Sequence, residues 1–295
     1  MDTLESLQRK IASAAELESV VKTMKAVAAS NIGQYQMAMD ALFDYYNTVE
    51  LGIMAYFSKI KSHTSLKTPA MTKDKSVGAI LFGSDQGLVG QFNEVLASFA
   101  GSELNKLTAK KQVWAVGSRI QNGLRDAGLV DEKLFSVPSS VGAITSFVGN
   151  ILISIEAEQE KGELSEVYIY HNRLKVNGGG YAPFSFRLLP LDENWMQSLQ
   201  KRKWPTNKLP QLVGGTKATL SALIKEYLFA AIYRACTESL ASENASRLAA
   251  MQRAEKNIDE LLQELQHKFH RLRQSSIDEE LFDVVAGFEA LKKRS

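Results

Sequence analysis

From Tyr35 the apolar residues Met39, Leu42, Tyr46, Val49, Ile53, Tyr56 and Ile60 follow at steps that alternate between four and three. That alternation averages about 3.5 residues, the repeat that keeps one side of a helix turned toward a partner in a left-handed coiled coil. The spacing extends back toward the N-terminus, so one helix is predicted from residue 4 to about residue 60. The far end of the chain repeats the pattern: Leu220, Leu223, Tyr227, Ile232 and Ala235 lead on to Leu248, Met251, Ile258, Leu262, Leu265, Phe269 and Leu272, with Glu255 as the one interruption. All six prolines lie between Pro69 and Pro210, which leaves both ends free to form unbroken helices. At ~1.5 Å per residue the first would be about 85 Å long and the second, over residues 216–291, more than about 100 Å. Neither can bury so long a stripe against a compact domain, and the economical solution is an antiparallel pair wound together.

Between the two helices the periodicity changes. Val77–Phe82 is a short β-like run, a helical pattern follows from Asn93 to Leu107, and a second run comes at Val113–Val116. Another helix is predicted after Ser139 and Ser140, through Ile151, Leu152 and Ile155 to Lys161. Strands follow at Val167–Tyr170 and Phe184–Leu188, with Gly178, Gly179 and Gly180 supplying the turn before the last. The predicted fold is therefore α/β with long helices: an antiparallel coiled coil of the N- and C-terminal helices plus a central Rossmann-like α/β domain, mostly parallel with one antiparallel edge hairpin. The expected division is 1–68 for the first coiled-coil helix, 69–212 for the α/β domain and 213–295 for the second coiled-coil helix.

The chain of 295 residues is 45% hydrophobic and 23% charged, enough to bury a core and too apolar for general disorder. Its 35 basic and 33 acidic residues are interspersed, so no field that would hold nucleic acid is expected. The basic run Lys292–Lys293–Arg294 reads as a cationic helix end complementing the macrodipole. Cys236 is the one cysteine and falls on an apolar helical face between Ile232 and Leu240, a packing position. The start of the chain does not resemble a signal peptide and no segment reaches the roughly 18 apolar residues of a membrane span, so a cytoplasmic protein is expected.

Several residues invite a chemical reading. The run Gly83–Gly90 follows a strand and precedes a helix, where a dinucleotide fold holds pyrophosphate. Its first two glycines, however, are three residues apart rather than one, and a strand-to-helix turn is the simpler reading. Gly214–Lys217 lacks the strand and first glycine of a phosphate loop and reads as a break before the last helix, with Thr216 near its N-cap. His267 and His270 share one helical turn, but a zinc site needs a further ligand. His63 and His171 are isolated, and Glu279 and Glu280 point in different directions. No catalytic set, cofactor site or metal site is expected.

Four motifs carry a resemblance. Lys10–Ser13 with Val21–Ser30, Ser84–Asn93, Leu240–Met251 and Arg273–Leu281 through Gly287 resemble, in order and spacing, the signatures of the gamma subunits of F-type rotary ATP synthases and ATPases. Departures from the common form at Gln86, Val89, Gln91, Asp278 and Phe288 suggest a divergent branch, such as the N-type ATPases. Two other readings stay open beside the resemblance: a nucleotide-binding module or enzyme over residues 76–190, and an unrelated coiled-coil scaffold.

The resemblance implies a non-catalytic subunit, the central rotor shaft of a proton- or sodium-translocating complex. Its implied partners are the alpha and beta subunits, the epsilon subunit and the c-ring. It would lie at the cytoplasmic face of the plasma membrane, touching the membrane only through the complex. Met24, Lys25, Arg247, Gln274 and Asp278 are implied to lie near the catch loops of the beta subunits. The apolar group Phe282, Val284, Val285, Phe288 and Leu291 surrounds too much of its helix for one seam and suits a bearing at the shaft tip. Trp204–Pro210 is the implied foot on the c-ring.

Overall fold

The structure, a computed structural model, describes residues 3–59, 76–162, 164–175, 179–208, 211 and 215–292. Two long helices open and close it, α1 over Leu4–Lys59 and α6 over Thr216–Lys292. Between them run β1 (Ser76–Phe82), α2 (Phe92–Leu104), β2 (Lys111–Val116), α3 (Ile120–Asp126), β3 (Asp131–Phe135), α4 (Val141–Glu160), β4 (Leu164–Leu174), β5 (Tyr181–Leu189) and α5 (Glu193–Lys201). Both long helices end within a residue or two of the positions that the heptad spacing predicts. The sheet has the order β3-β2-β1-β4-β5, parallel except for the β4–β5 edge hairpin, as the apolar runs and the glycine turn indicate. Gly180, at φ +101°, takes the left-handed conformation that closes this hairpin, and its carbonyl accepts from Lys175 N–H at 3.1 Å. Gly178 and the seam position Ile60 lie outside the described residues.

The chain divides into two compact units, Met1–Ala28 with Leu248–Ser295, and Ala29–Arg247. The divide falls inside both long helices.

In the first unit the described residues from Leu4 onward are helical. Leu7, Ala14 and Ala28 on α1 and Met251 and Leu265 on α6 are buried, and Ile11, Val21, Ile258, Leu262, Phe269 and Leu272 are partly so. Each set keeps the heptad register, in steps of three, four or seven. Glu255, the interruption in the sequence pattern, sits on this seam and meets Lys25 Nζ at 2.5 Å, so the polar break in one helix is matched by a cation in the other. The α1 segment begins at Leu4 whereas α6 runs on to Lys292. Ile277, Leu281, Phe282, Val284 and Val285 on that long extension are all exposed.

In the second unit the sheet is covered on both faces. Ala79, Leu81, Val113, Ala115 and Tyr170 pack with α2 and α3 on one side. On the other, Ile80, Phe82, Trp114, Val116, Val167 and Ile169 pack with α4, with Tyr35 of α1 and with Ile232, Ala235, Cys236, Leu240 and Ala241 of α6. Full burial of both faces explains the near-continuous apolar runs of β1 and β2. The seam of α1 predicted from Tyr35 to Tyr56 is buried or half-buried throughout, and its partners on α6 run in the opposite direction. Asn31 meets Asn244, Tyr45 donates to Glu226, and the Tyr46 and Tyr227 rings lie 5.6 Å apart.

One sequence expectation is corrected here. By length and composition α4 could cross a membrane, with a mean hydropathy of 1.3, although no such segment was expected. Its Ile144, Phe147, Val148, Ile151 and Ile155 line the sheet core instead, which accounts for the apolar content. Cys236 is buried in the same core, as its position between Ile232 and Leu240 implies, and burial pushes its thiol far above the usual range.

Candidate functional site

The glycine-containing loop after β1 is closed by its own side chains. Asn93, at the start of α2, accepts from Ser84 N–H at 3.0 Å and donates to Ser84 Oγ at 2.9 Å. The Asp85 carboxylate accepts from Ser118 N–H at 2.8 Å and from Val137 N–H at 2.7 Å. An anion is thus already built into the backbone donors beyond β2 and β3 where an incoming phosphate would have to compete. Gly117, at φ +90°, is required because a Cβ there would lie 2.6 Å from the Ser84 carbonyl. Leu88 carries a left-handed φ of +62° without the freedom of glycine and stands 61% exposed. The loop behaves as a rigid strand-to-helix turn.

This turn, and the strand ends around it, are tied to α6. Ser239, Ser242 and Ser246 lie on one face of the helix, spaced by three and four. Ser239 Oγ donates to the Phe82 carbonyl at 3.0 Å and Ser246 Oγ to the Val89 carbonyl at 2.6 Å. Ser242 Oγ lies 3.1 Å from the Asn172 carbonyl, sharing its one proton with the Glu238 carbonyl of its own helix at 2.8 Å. Asn172 in turn donates from Nδ2 to the Phe92 carbonyl at 3.0 Å. Small side chains at Ala235, Cys236, Ser239, Ala241 and Ser242 let the helix backbone approach the sheet closely enough for these bonds.

Beside the serines, Glu238 gathers three partners: His171 Nε2 at 2.7 Å, Arg234 Nε at 2.9 Å and Arg173 Nε at 3.2 Å. His171 is 1% exposed and flanked edge-on by Phe184 and Phe186. Burial pushes its pKa down, against the opposing pull of Glu238, so the ring is neutral and donates Nε2–H to the carboxylate. Burial alone would raise Glu238, but the His171 hydrogen bond and the Arg234 guanidinium outweigh it and hold the carboxyl below its usual range. Sequence reading left His171 isolated and did not find this cluster. The signal was the run of short side chains between Ala235 and Ser246, without a lysine or arginine, which marks a helix stretch buried on several sides.

The residues singled out from the sequence fall into separate settings. Met24 is half-buried, and Lys25 is half-buried against Glu255. Arg247 is 7% exposed, bonded to Glu243 at 2.7 Å and more weakly to Asn244, with Nε unpaired. Gln274 and Asp278 present exposed side chains on α6. Phe282 and Val285 are 72% and 49% exposed, and the side chain of Phe288 lies outside the described residues. Of the implied foot, Trp204 donates Nε1–H to Thr206 Oγ1 at 3.0 Å, and Pro210 lies outside the described residues. Neighbouring α5 is held by Glu50 of α1, which accepts from Trp195 Nε1 at 3.1 Å and from Arg202 Nη1 at 3.2 Å. His267 and His270 are exposed, and among the described residues no cluster of three metal-ligating side chains forms.

Two long helices around a sheet that grips one of them narrow the comparison with known proteins. The family profile described as ATP synthase matches residues 3–291. The ATP synthase gamma chain of Pasteurella multocida (strain Pm70) is 30% identical over 97% of this chain and 98% of its own length. The chain belongs to the ATP synthase gamma-chain family. Consistent with that, the gamma chain of Glaesserella parasuis serovar 5 is 31% identical over 97% of this chain and 98% of that one. The fold is shared with a chain of the Euglena gracilis mitochondrial ATP synthase, OSCP/F1/c-ring in rotational state 3, at a TM-score of 0.64 and 16% identity, covering 98% of this chain and 94% of that chain. A chain of the rotor of the same enzyme in rotational state 1 gives a TM-score of 0.59 at 16% identity, covering 93% and 98%. Gamma chains of this family are non-catalytic subunits of a membrane-associated complex.

Proposed function

We propose that this chain is the central rotor shaft of an F-type ATP synthase or ATPase, coupling ion-driven turning of the c-ring to ATP synthesis or hydrolysis in the alpha/beta hexamer. The observation that carries this reading is the pair of unbroken helices whose seam is pinned by Lys25 and Glu255, continuing without a break into a sheet unit that grips α6. A shaft has to transmit a twist, and a helix without interruption has every backbone hydrogen bond in place to resist one. It must also be asymmetric. Three identical catalytic subunits take different nucleotide states only if the shaft offers each of them different contacts, so that rotation shifts their populations in turn.

In this reading the segments 1–68 and 213–295 form the axle and 69–212 the body that meets the c-ring and the epsilon subunit. Gln274 and Asp278, with exposed side chains, would touch the beta catch loops directly. Met24, Lys25 and Arg247 are proposed near the catch loops as well, Lys25 and Arg247 while engaged with Glu255 and Glu243. The exposed apolar residues Phe282 and Val285, with Phe288 next on the helix, suit a bearing, because apolar contact is non-directional and breaks no hydrogen bond as the angle changes. Proton or sodium coupling and a place at the cytoplasmic face of the plasma membrane complete the proposal, in an ordinary F-type enzyme or a divergent branch such as the N-type.

Reconstitution tests it. Alpha and beta subunits with this chain should hydrolyse ATP under conditions where neither this chain nor the mixture lacking it does. Hydrolysis that is indifferent to its presence would reject the rotor reading.

A further inference from the structure

The geometry points to Ser239, Ser242 and Ser246 as a torque-bearing joint, a row of positioning residues that fixes the angular register of the sheet body on α6. The inference rests on the rotor reading and says where within this chain the load passes. Each hydroxyl reaches a carbonyl of a different segment: Phe82 at the end of β1, Asn172 on β4, and Val89 in the glycine-containing turn. Phe82 is the last residue of β1, and Asn172 lies beyond Tyr170, the last β4 residue that pairs with it, so both acceptors sit where that ladder runs out. The third is held from behind, because Ser84, Asp85 and Asn93 lock the turn that carries it.

Three features make this a joint rather than general packing. The hydroxyls occupy one face over two turns of α6, so a rotation of the helix about its axis displaces all three in the same sense. Serine is short, which leaves little rotamer slack between the helix backbone and the acceptor, whereas a longer side chain could yield by bending. The surrounding apolar contacts resist separation but have no preferred direction, so angular register depends on the directional bonds. Glu238 with His171 and Arg173 adds a fourth tie from the same stretch of helix to β4.

The test uses the whole ATPase complex in sealed vesicles, assembled with the wild-type chain or with the triple variant Ser239→Ala, Ser242→Ala, Ser246→Ala. ATP hydrolysis is measured with an uncoupler present, where the shaft turns without load, and the final ATP-driven membrane potential is read with a voltage-sensitive dye. The expected result is equal unloaded hydrolysis and a lower final potential for the triple variant, because a joint that yields does so against the greatest opposing load. Ile151→Val, a core substitution in the same unit away from the joint, controls for stability and should leave the final potential unchanged. Equal potentials for wild type and triple variant overturn the joint, as does a loss that Ile151→Val reproduces. If the triple variant does not assemble, Ser239→Ala with Ser246→Ala is read by the same criteria. A wild-type chain that supports no pumping at all would instead remove the rotor reading itself, so the two failures are distinguishable.

Discussion

Replacing Glu238 by alanine should destabilise the sheet unit far more than replacing it by glutamine. In the alanine variant the Nε2–H of His171, on a ring that is 1% exposed, loses its acceptor, and an unsatisfied buried donor costs about 1–3 kcal/mol. Arg173 and Arg234 are 38% and 56% exposed and can turn to water, so each of those bridges contributes at most about 1 kcal/mol. The expected total is about 3 kcal/mol for alanine. Glutamine keeps one carbonyl oxygen for His171 and should cost about 1 kcal/mol. All three tryptophans, Trp114, Trp195 and Trp204, belong to the sheet unit, so urea unfolding of the full chain followed by tryptophan fluorescence reads this unit directly. With a urea slope on the order of 3 kcal/mol per molar, the midpoint should fall by about 1 M for alanine and about a third of that for glutamine. Equal shifts for the two variants, or a shift under about 0.2 M for alanine, would refute the view that Glu238 is the acceptor holding β4 to α6.

Four further outcomes are expected. Because burial lowers the His171 pKa below its unfolded value of 6.5, the unfolded chain takes up the proton first, and stability should fall as pH drops below that value; His171→Phe should flatten the slope between neutrality and mildly acid pH, as urea midpoints across a pH series would show. The Lys25–Glu255 pair, with side chains 33% and 19% exposed, should show a coupling of about 1 kcal/mol in a Lys25→Met, Glu255→Gln double-mutant cycle on thermal unfolding. Leu265→Asp places a carboxylate on the buried seam and should cost more than about 3 kcal/mol, whereas Gln274→Ala, on an exposed side chain, should leave unfolding unchanged and lower ATP turnover in the assembled complex. Leu88→Gly relieves a left-handed backbone and should raise stability by up to about 1 kcal/mol, read as a higher Tm.

The long helices and the main strands were legible because each repeats one signal many times: α1 and α6 through the alternation of three and four, β1 and β2 through uninterrupted apolar runs. The elements that escaped notice are short and weakly patterned. β3 reads Asp131–Glu132–Lys133–Leu134–Phe135, an edge strand with charged residues at three of five positions, and it stays in place partly because Lys133 lies 4.8 Å from the centre of the Trp114 ring and near Glu158. α3 contains Gly123, poor for a helix, and tolerates it because a Cβ there would come within 2.9 Å of Ala97 on α2. α5 is amphipathic but only nine residues long, and its anchor Glu50 is distant in sequence. The grip on α6 was hidden for a related reason. A serine spaced at three and four looks like a solvated helix face, and its acceptors are backbone carbonyls that carry no side-chain signature. The burial of Arg247 was hidden as well, since a charged residue at a helical position reads as solvated, while its partner Glu243 lies four residues away on the same buried stretch.

Two greased helices lying along one another could settle a notch up or down, since leucine against leucine fits nearly as well one turn, about 5.4 Å, further along. A charge set into each strip works like a key in a keyway: any other notch would pull Lys25 and Glu255 apart. The compass bearing of the outward residues on these two segments then follows from this half-buried handshake.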